Sequence, residues 1–321
     1  MKISVALCTY NGEKFIAEQL KSILEQKISV DEIVICDDNS KDNTVSVCEE
    51  ILSKTGICYR IVVNNPALGV ANNFLKCLKL TTGDYVFTCD QDDVWYNNKV
   101  EIFLSEIEKS EKLLYFSNGM LVDADNRPLN RTLWDFFKVD YDKIRDCDSP
   151  FERILERPIV TGAAMCLSRK LIDKVDIIPE GLIHDEWFSL IASLEHSITP
   201  INKETFNYRQ HGNNVIGATE KSFKQKFLNW INGFYSVLEF RRERQKRSIA
   251  VLNLAKNTEF EGSAREYYDF WNGLYGFKNL SRPKQIFKAT KYYFSGKYNK
   301  YFVGFRSYLR DLLIAVLLKN R

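Results

Sequence analysis

No stretch of about 18 or more apolar residues occurs in this 321-residue chain, so no transmembrane helix is expected. The apolar run near the N-terminus, Ile3–Cys8, is too short for the hydrophobic part of a signal peptide and reads as a strand. The eight cysteines (8, 36, 48, 58, 77, 89, 147 and 166) form no C-x-x-C pair, which argues against a structural zinc site. Most lie in apolar runs and are expected as small buried hydrophobes in a reducing cytosol. The sequence contains no G-x-x-x-x-G-K-[ST], and no G-x-G-x-x-G follows its first strand. A P-loop NTPase and a nicotinamide dehydrogenase are thereby disfavoured. Internal repeats and low-complexity linkers are missing too. What remains is ordinary: 45% hydrophobic and 27% charged residues, the composition of a soluble globular chain.

The formal net charge is only +3, but that total is a cancellation. Residues 222–321 hold 20 Lys+Arg against 7 Asp+Glu, leaving 25 against 35 in residues 1–221. Such asymmetry points to two functions in one chain, and we divide it into 1–217 and 218–321.

The first half alternates between strand and helix. Ile3–Thr9, Glu32–Cys36, Tyr59–Val63 and Tyr85–Cys89 read as strands. Glu13–Gln26, Asp42–Leu52 and Val70–Leu80 carry apolar residues at helical spacing. Alternation of this kind predicts βαβ crossovers, an α/β fold and a mostly parallel, doubly wound sheet. Ligands bind such sheets beyond the carboxyl ends of the strands. Those ends are polar: Thr9–Glu13, Asp37–Asp42, Asn64–Pro66 and Asp90–Asp93. Further on, Leu113–Phe116, Met120–Val122, Ile159–Leu167, Ile198–Ile201 and Thr205–Tyr208 read as strands, and Asp185–Leu194 as a short helix. From Ser222 onward the pattern is helical.

Asp90-Gln91-Asp92-Asp93 is the sharpest chemical signal. Three carboxylates in four residues repel one another unless a cation is present. An oxygen-only cluster at a strand end suits Mg²⁺ or Mn²⁺, which in turn suits a diphosphate. A solvated acidic turn leading into a helix near Asn97 is the plainer alternative.

Ser4–Gly12, Ile35–Ser40 and Gly83–Trp95 together resemble the nucleotide-binding half of family-two glycosyltransferases with the GT-A fold. His184-Asp185-Glu186-Trp187 and Tyr208–Asn214 resemble later motifs of bacterial members that build surface polysaccharides, rhamnosyltransferase-like ones included. The resemblance covers roughly residues 1–217. It implies a Rossmann-like central sheet with flanking helices, followed here by a mainly helical C-terminal region. It implies a nucleotide pocket lined by Thr9, Tyr10, Asn11, Glu13, Asn72 and Gln91, with Asp37 or Asp38 accepting a hydrogen bond from a pyrimidine base. Asp90 and Asp92 match the family's D-x-D, which reaches the ribose and a metal-bound diphosphate. Asp185 matches the general base of inverting transfer; His184 stands where the family has Glu, leaving Glu186 as a rival. Arg209 and His211 match a basic pair that meets the diphosphate or, for His211, the Mn²⁺ or Mg²⁺. Helix capping is the alternative for Asp185 and Asn72, loop hydrogen bonding for His211, and packing for Trp95 and Trp187. A helix dipole would keep Asp185 ionised.

The resemblance therefore implies an inverting, metal-dependent transferase. It would move a sugar from a UDP or dTDP donor to a saccharide acceptor, expected to be lipid-linked, in bacterial surface-polysaccharide synthesis. A sugar nucleotidyltransferase and an inactive scaffold of the same fold are the rivals. Residues 222–321 mix cations with aromatics: Phe223, Phe227, Trp230, Phe234, Tyr235, the run Arg241–Arg247, and Tyr292 to Tyr308. Basic amphipathic helices of this kind suit the surface of an anionic membrane, which predicts a cytoplasmic protein held on the inner face. A helical bundle whose aromatics form its own core is the alternative. No nucleic-acid motif is present.

Overall fold

The computed structural model describes residues 1–147, 149–211 and 223–317, with only the backbone of 223–236 and of Leu317. The domain boundary expected at 217 and the Gly212–Asn214 end of the last motif lie outside the described residues, as do the side chains of Phe223, Phe227, Trp230, Phe234 and Tyr235. The chain forms two compact units, each taken here on its own.

The first unit is built on β1 (Ile3–Thr9), α1 (Ile16–Leu24), β2 (Glu32–Asp37), α2 (Thr44–Leu52), β3 (Cys58–Val63), α3 (Val70–Leu80) and β4 (Tyr85–Asp90). β1 and β2 are buried along their whole length, as unbroken apolar runs in a parallel sheet require. β1 pairs in parallel with β2 on one side and with β4 on the other, and β2 pairs in parallel with β3. The order β3-β2-β1-β4 therefore reverses between β1 and β4, which opens a cleft beyond their carboxyl ends. Register puts the chemistry level there: Thr9 lies opposite Asp37, and Cys8 opposite Asp90.

β5 (Val94–Trp95), α4 (Lys99–Lys109), β6 (Leu114–Val122) and β7 (Pro128–Thr132) follow. Next come α5 (Leu133–Phe137), α6 (Tyr141–Arg145), α7 (Phe151–Glu156), β8 (Met165–Ser168), α8 (Arg169–Asp173), α9 (His184–Leu194) and β9 (Ile198–Arg209). β8 joins β4 and β6 in antiparallel fashion, β9 runs parallel to β6, and the whole is one nine-stranded sheet. β6 and β9 are each one strand where the sequence pattern suggests two. Register shifts between Ser117 and Met120 break the alternation without ending the pairing. In the expected strand Ile159–Leu167, only Met165 onward is strand, and Gly162–Ala164 is a 3₁₀ turn. The carbonyls of that turn bond side chains: Thr88 Oγ1 donates to Gly162 O, and Lys99 Nζ to Ala163 O at 2.9 Å.

The second unit comprises α7, Pro179–Gly181 and the described residues from 223 on. These form α10 (Phe223–Leu254), α11 (Glu261–Tyr275), α12 (Arg282–Phe294), α13 (Lys297–Tyr301) and α14 (Phe305–Leu317). Many of its aromatics form its own core: Phe240, Tyr267, Phe270, Trp271, Tyr298, Tyr301 and Phe302 meet ring to ring. Two arginines of the basic run are structural. Buried Arg241 pairs with buried Asp311 at 2.7 Å, and Tyr298 donates to the same carboxylate at 2.6 Å. Buried Arg247 donates to Tyr267 Oη and, at 3.2 Å, to Ile154 O. Among the described residues no helix is long and apolar enough to cross a membrane.

Candidate active site

The loop after β1 is held to its neighbours by side chain to backbone bonds. Thr9 Oγ1 donates to Asp37 at 2.8 Å, and Asp37 also accepts from Ser40 N at 2.8 Å. Asp38 accepts from Asn64 Nδ2, Leu68 N and Gly69 N, which fixes the entry to α3. Glu13 accepts from the backbone and side chain of Asn43. Gln91 clamps Tyr10 from both sides, accepting from its N at 2.8 Å and donating to its O at 3.0 Å. Asn11 and Asn39 take positive φ (49° and 71°), a conformation asparagine tolerates well. Tyr10 leaves its ring exposed, and Asn72 is an exposed residue on the first turn of α3. Thr9, Tyr10, Asn11, Glu13, Asp37 and Gln91 are thus brought to one rim, most of them linked by hydrogen bonds.

Gly12 lies against the side chain of Gln91. A Cβ on Gly12 would meet Gln91 Oε1 at 2.2 Å. Gly12→Ala is therefore expected to push Gln91 off Tyr10 and to lower stability by about 0.5–1.5 kcal/mol, the cost of moving the end of a flexible side chain off its rotamer. Thermal melts check this, and Gln91→Ser in the same chain should recover most of the loss.

The acidic turn is pinned to the end of β9, because β5 pairs with β9 (Val94 with Asn207, Trp95 with Phe206). That pairing brings His211 Nε2 to 2.7 Å from Asp92 Oδ2, across more than a hundred residues, with the imidazole stacked on Phe15 at 4.8 Å. Burial and the Asp92 carboxylate push Asp90 up to about 7. Asp93 is buried and also pushed up, by burial and then by Asp92 and Asp90. Its Oδ1 accepts from Arg209 N at 3.1 Å, while its Oδ2 is buried with no hydrogen-bond partner among the described residues. Among the described residues no three His, Cys, Asp or Glu close into a metal cage. Asp92 and His211 form a pair with Asp90 close by at the end of β4. That set fits a Mn²⁺ or Mg²⁺ whose remaining ligands are phosphate oxygens and water, the usual way Mg²⁺ is held.

Arg209 is buried and its guanidinium is engaged within the protein. Nε donates to Asp92 O at 2.7 Å and NH1 to Ala124 O at 2.8 Å; NH2 pairs with Glu18, and the cation sits over the Phe15 ring. Its donors here go to protein acceptors, and it braces the turn that carries Asp92. Arg209→Met is expected to lower stability by about 3 kcal/mol, through orphaned acceptors, in the absence of any ligand. Chemical denaturation measures it.

Lys99 escaped the sequence reading. It is fully buried beneath the acidic turn, lies over the Trp95 and Phe206 rings, and is pushed down to about 8 by burial against the pull of nearby Cys89 and Asp93. The available signal was a cation sharing the helical stripe of Ile102 and Phe103.

Asp185 stands in the first turn of α9, after its N-cap Ile183. Its carboxylate accepts from Glu186 N at 2.7 Å and from Gly162 N at 3.1 Å. The N-terminal position was expected to keep it ionised. Those two bonds do pull in that direction, but burial and the Glu186 charge outweigh them and raise it to about 7. His184 is buried, stacks on Phe74 at 3.9 Å and is pushed down to about 3 by burial, so it is neutral. A Cβ on Gly162 would meet His184 Nε2 at 2.6 Å. The Gly162 turn thus touches three things at once: Asp185, His184 and, through Thr88, the strand that leads to Asp90.

A central sheet of mostly parallel strands with flanking helices, as here, is the fold of GT-A-type glycosyltransferases. TarS of S. aureus, solved with UDP-GlcNAc, shares the fold at TM-score 0.59 and 18% identity, over 91% of this chain and 81% of that one. The mannosyltransferase PcManGT of Pyrobaculum calidifontis, solved with GDP-Man and Mn²⁺, does so at TM-score 0.56 and 15% identity, over 99% and 86%. The family model for glycosyl transferase family 2 matches residues 4–175, more than half of the chain, and the chain belongs to that family. It is 32% identical over 236 residues to the dTDP-rhamnosyl transferase RfbG of Shigella flexneri, covering 69% of this chain and 76% of RfbG. It is 28% identical over 124 residues to the glucosyltransferase WfgD of Escherichia coli, covering 39% of this chain and 48% of WfgD.

Proposed function

We propose that the chain transfers a sugar, with inversion, from a dTDP or UDP donor to a saccharide acceptor carried on a lipid diphosphate, in polysaccharide synthesis at the inner face of a bacterial membrane. The names of its relatives support this reading: a dTDP-rhamnosyl transferase in RfbG, and a UDP-Glc:alpha-D-GlcNAc-diphosphoundecaprenol beta-1,3-glucosyltransferase in WfgD. Residues 1–217 carry the chemistry and 218–321 the association with membrane or acceptor.

The observation that carries the mechanism is Asp185, a buried carboxyl poised near neutrality and aimed by Gly162 N and Glu186 N. It takes the proton of the acceptor hydroxyl as that oxygen attacks the anomeric carbon; the bond to the diphosphate breaks and the nucleoside diphosphate departs. One base suffices for such a displacement. Thr9, Tyr10, Asn11, Glu13, Asp37, Asp38, Asn72 and Gln91 hold the nucleoside. Asp92, with Asp90 and His211, would hold Mn²⁺ or Mg²⁺, which supplies charge neutralisation to the leaving diphosphate. Arg209 keeps the Asp92 turn in place.

The test is incubation with dTDP- and UDP-sugars and a lipid-diphosphate saccharide. Release of nucleoside diphosphate and an inverted anomeric proton coupling are expected. Release of pyrophosphate would mark a nucleotidyltransferase, and retention at the anomeric carbon would remove Asp185 from its role.

A further inference from the structure

From residue 270 to residue 310 the sequence contains nine Lys+Arg and no Asp or Glu. Forty-one residues without a carboxylate are unusual in a chain that is 27% charged. Part of this positive charge is used within the unit: Lys297 and Lys300 lie by Glu266, and Arg310 lies by Asp311. Lys284, Lys291 and Arg306 are exposed, and among the described residues none of them is ion-paired.

Large apolar side chains are exposed in the same stretch. Phe287 is 72% exposed, Phe294 81% and Phe305 55%, with Val303 and Leu309 also open. A single exposed apolar residue is ordinary, so their arrangement is what matters. On α12, Lys284, Phe287, Lys291 and Phe294 follow one another at steps of three and four, which places them on one stripe of the helix. The buried residues of α12, Gln285 and Ala289, lie on the other side. On α14, Phe305, Leu309 and Val316 are exposed and also share one face. Tyr293 joins the two stripes: its ring lies 5.5 Å from Phe294 and 5.9 Å from Phe305, and it stacks on Tyr308 at 4.4 Å. Cation and phenylalanine thus alternate along one helix and continue into an apolar face on the next.

We propose that this α12–α14 face docks on the surface of an anionic bilayer, its phenylalanines entering the headgroup boundary and its lysines meeting lipid phosphates. This deepens the membrane part of the function proposed above by naming the surface, and it moves the contact away from Arg241–Arg247, two of whose arginines are buried. Charge complementarity identifies the occupant. A second copy meeting it face to face would bring the same basic, carboxylate-free stretch and repel it, whereas an anionic leaflet attracts every basic residue near it. Apolar side chains of this size add hydrophobic anchoring that salt does not screen.

The experiment is co-sedimentation of the full chain with vesicles of phosphatidylglycerol diluted in phosphatidylcholine, and with phosphatidylcholine alone, without donor or acceptor. Binding is expected only to the anionic vesicles and is expected to weaken with salt. Phe287→Ser with Phe294→Ser, and separately Lys284→Glu with Lys291→Glu, should each weaken it at least about tenfold. Leu238→Ser with Ile249→Ser, exposed apolar positions on α10, should leave it unchanged. The substituted side chains are exposed, and unchanged melting temperatures will show that the unit still folds. As a second readout, an environment-sensitive dye on Phe287→Cys should shift to the blue with phosphatidylglycerol vesicles. Undiminished sedimentation of both double variants, or an unshifted dye, overturns the proposal. So does an oligomer that the Phe287/Phe294 pair splits while the wild type ignores vesicles. Because no sugar is transferred in this assay, a chain that docks but fails to glycosylate refutes the proposed activity and leaves the docking face standing.

Discussion

Asp185→Asn is expected to lower turnover by roughly 10²- to 10⁴-fold, the range that loss of a positioned general base removes, while donor binding stays within about twofold of the wild type. The asparagine keeps an oxygen for Gly162 N, so the turn that supports the site survives. Two further readouts follow from the raised affinity of this carboxyl for protons. Only the ionised form is a base, so the wild-type rate is expected to climb with pH through about 7 and level off above it. For stability the sign is opposite. Between the ordinary carboxyl value and about 7, the folded chain binds a proton that the unfolded chain has lost, so this group's contribution to stability falls as pH rises across that window. Asp185→Asn removes that dependence, and its melting temperature at pH 7.5 should equal or exceed that of the wild type even as activity collapses. A merely structural aspartate would show the reverse. Full activity in Asp185→Asn, with Glu186→Gln as the inactive variant, would transfer the role to Glu186.

Asp92→Ala is expected to abolish the part of donor affinity that depends on a divalent cation and to lower transfer by about 10²- to 10³-fold, the scale of losing one charge-stabilising group. Its backbone carbonyl, not its carboxylate, is what Arg209 grips, so the turn should hold its shape and the melting temperature should move little. His211→Ala should act in the same direction and more weakly, because the imidazole adds to a site that Asp92 anchors. Calorimetric titration of UDP and dTDP, with and without Mn²⁺, provides the measurement. Equal affinity in both conditions, in wild type and Asp92→Ala alike, would remove the cation from the site.

How much of this was legible in the residues depended on how local each signal was. The ends of β1, β2 and β4 could be read because an apolar run stopping at Thr9, Asp37 or Asp90 is information carried by neighbours in sequence. Asp185 could be singled out only through the resemblance of His184-Asp185-Glu186-Trp187 to a family motif, since a carboxylate opening a helical pattern is by itself ordinary capping. The orientation of Arg209 could not, since it is decided by where β9 pairs and which acceptors that pairing delivers from Glu18, Asp92 and Ala124. Lys99 was hidden by the general rule that lysines are surface residues, which a partner such as Ala163 O and two aromatic faces can override. The strand that became a turn at Gly162–Ala164 failed for a related reason. Composition favours an extended conformation there, but the carbonyls found side-chain donors on two other elements.

The guanidinium of Arg209 has a last consequence, for how the site comes into being. It is a buried cation at the end of β9 whose partners are supplied by α1, by the turn after β4 and by the turn after β6. Remove any one of these and a charge is left in the interior without its acceptors, which is far less stable than either the finished arrangement or the open chain. Partial assembly is therefore penalised. The helix after the first strand, the acidic turn and the last strand of the sheet are expected to lock and release as one cooperative unit, and amide exchange in the three should share a single opening energy.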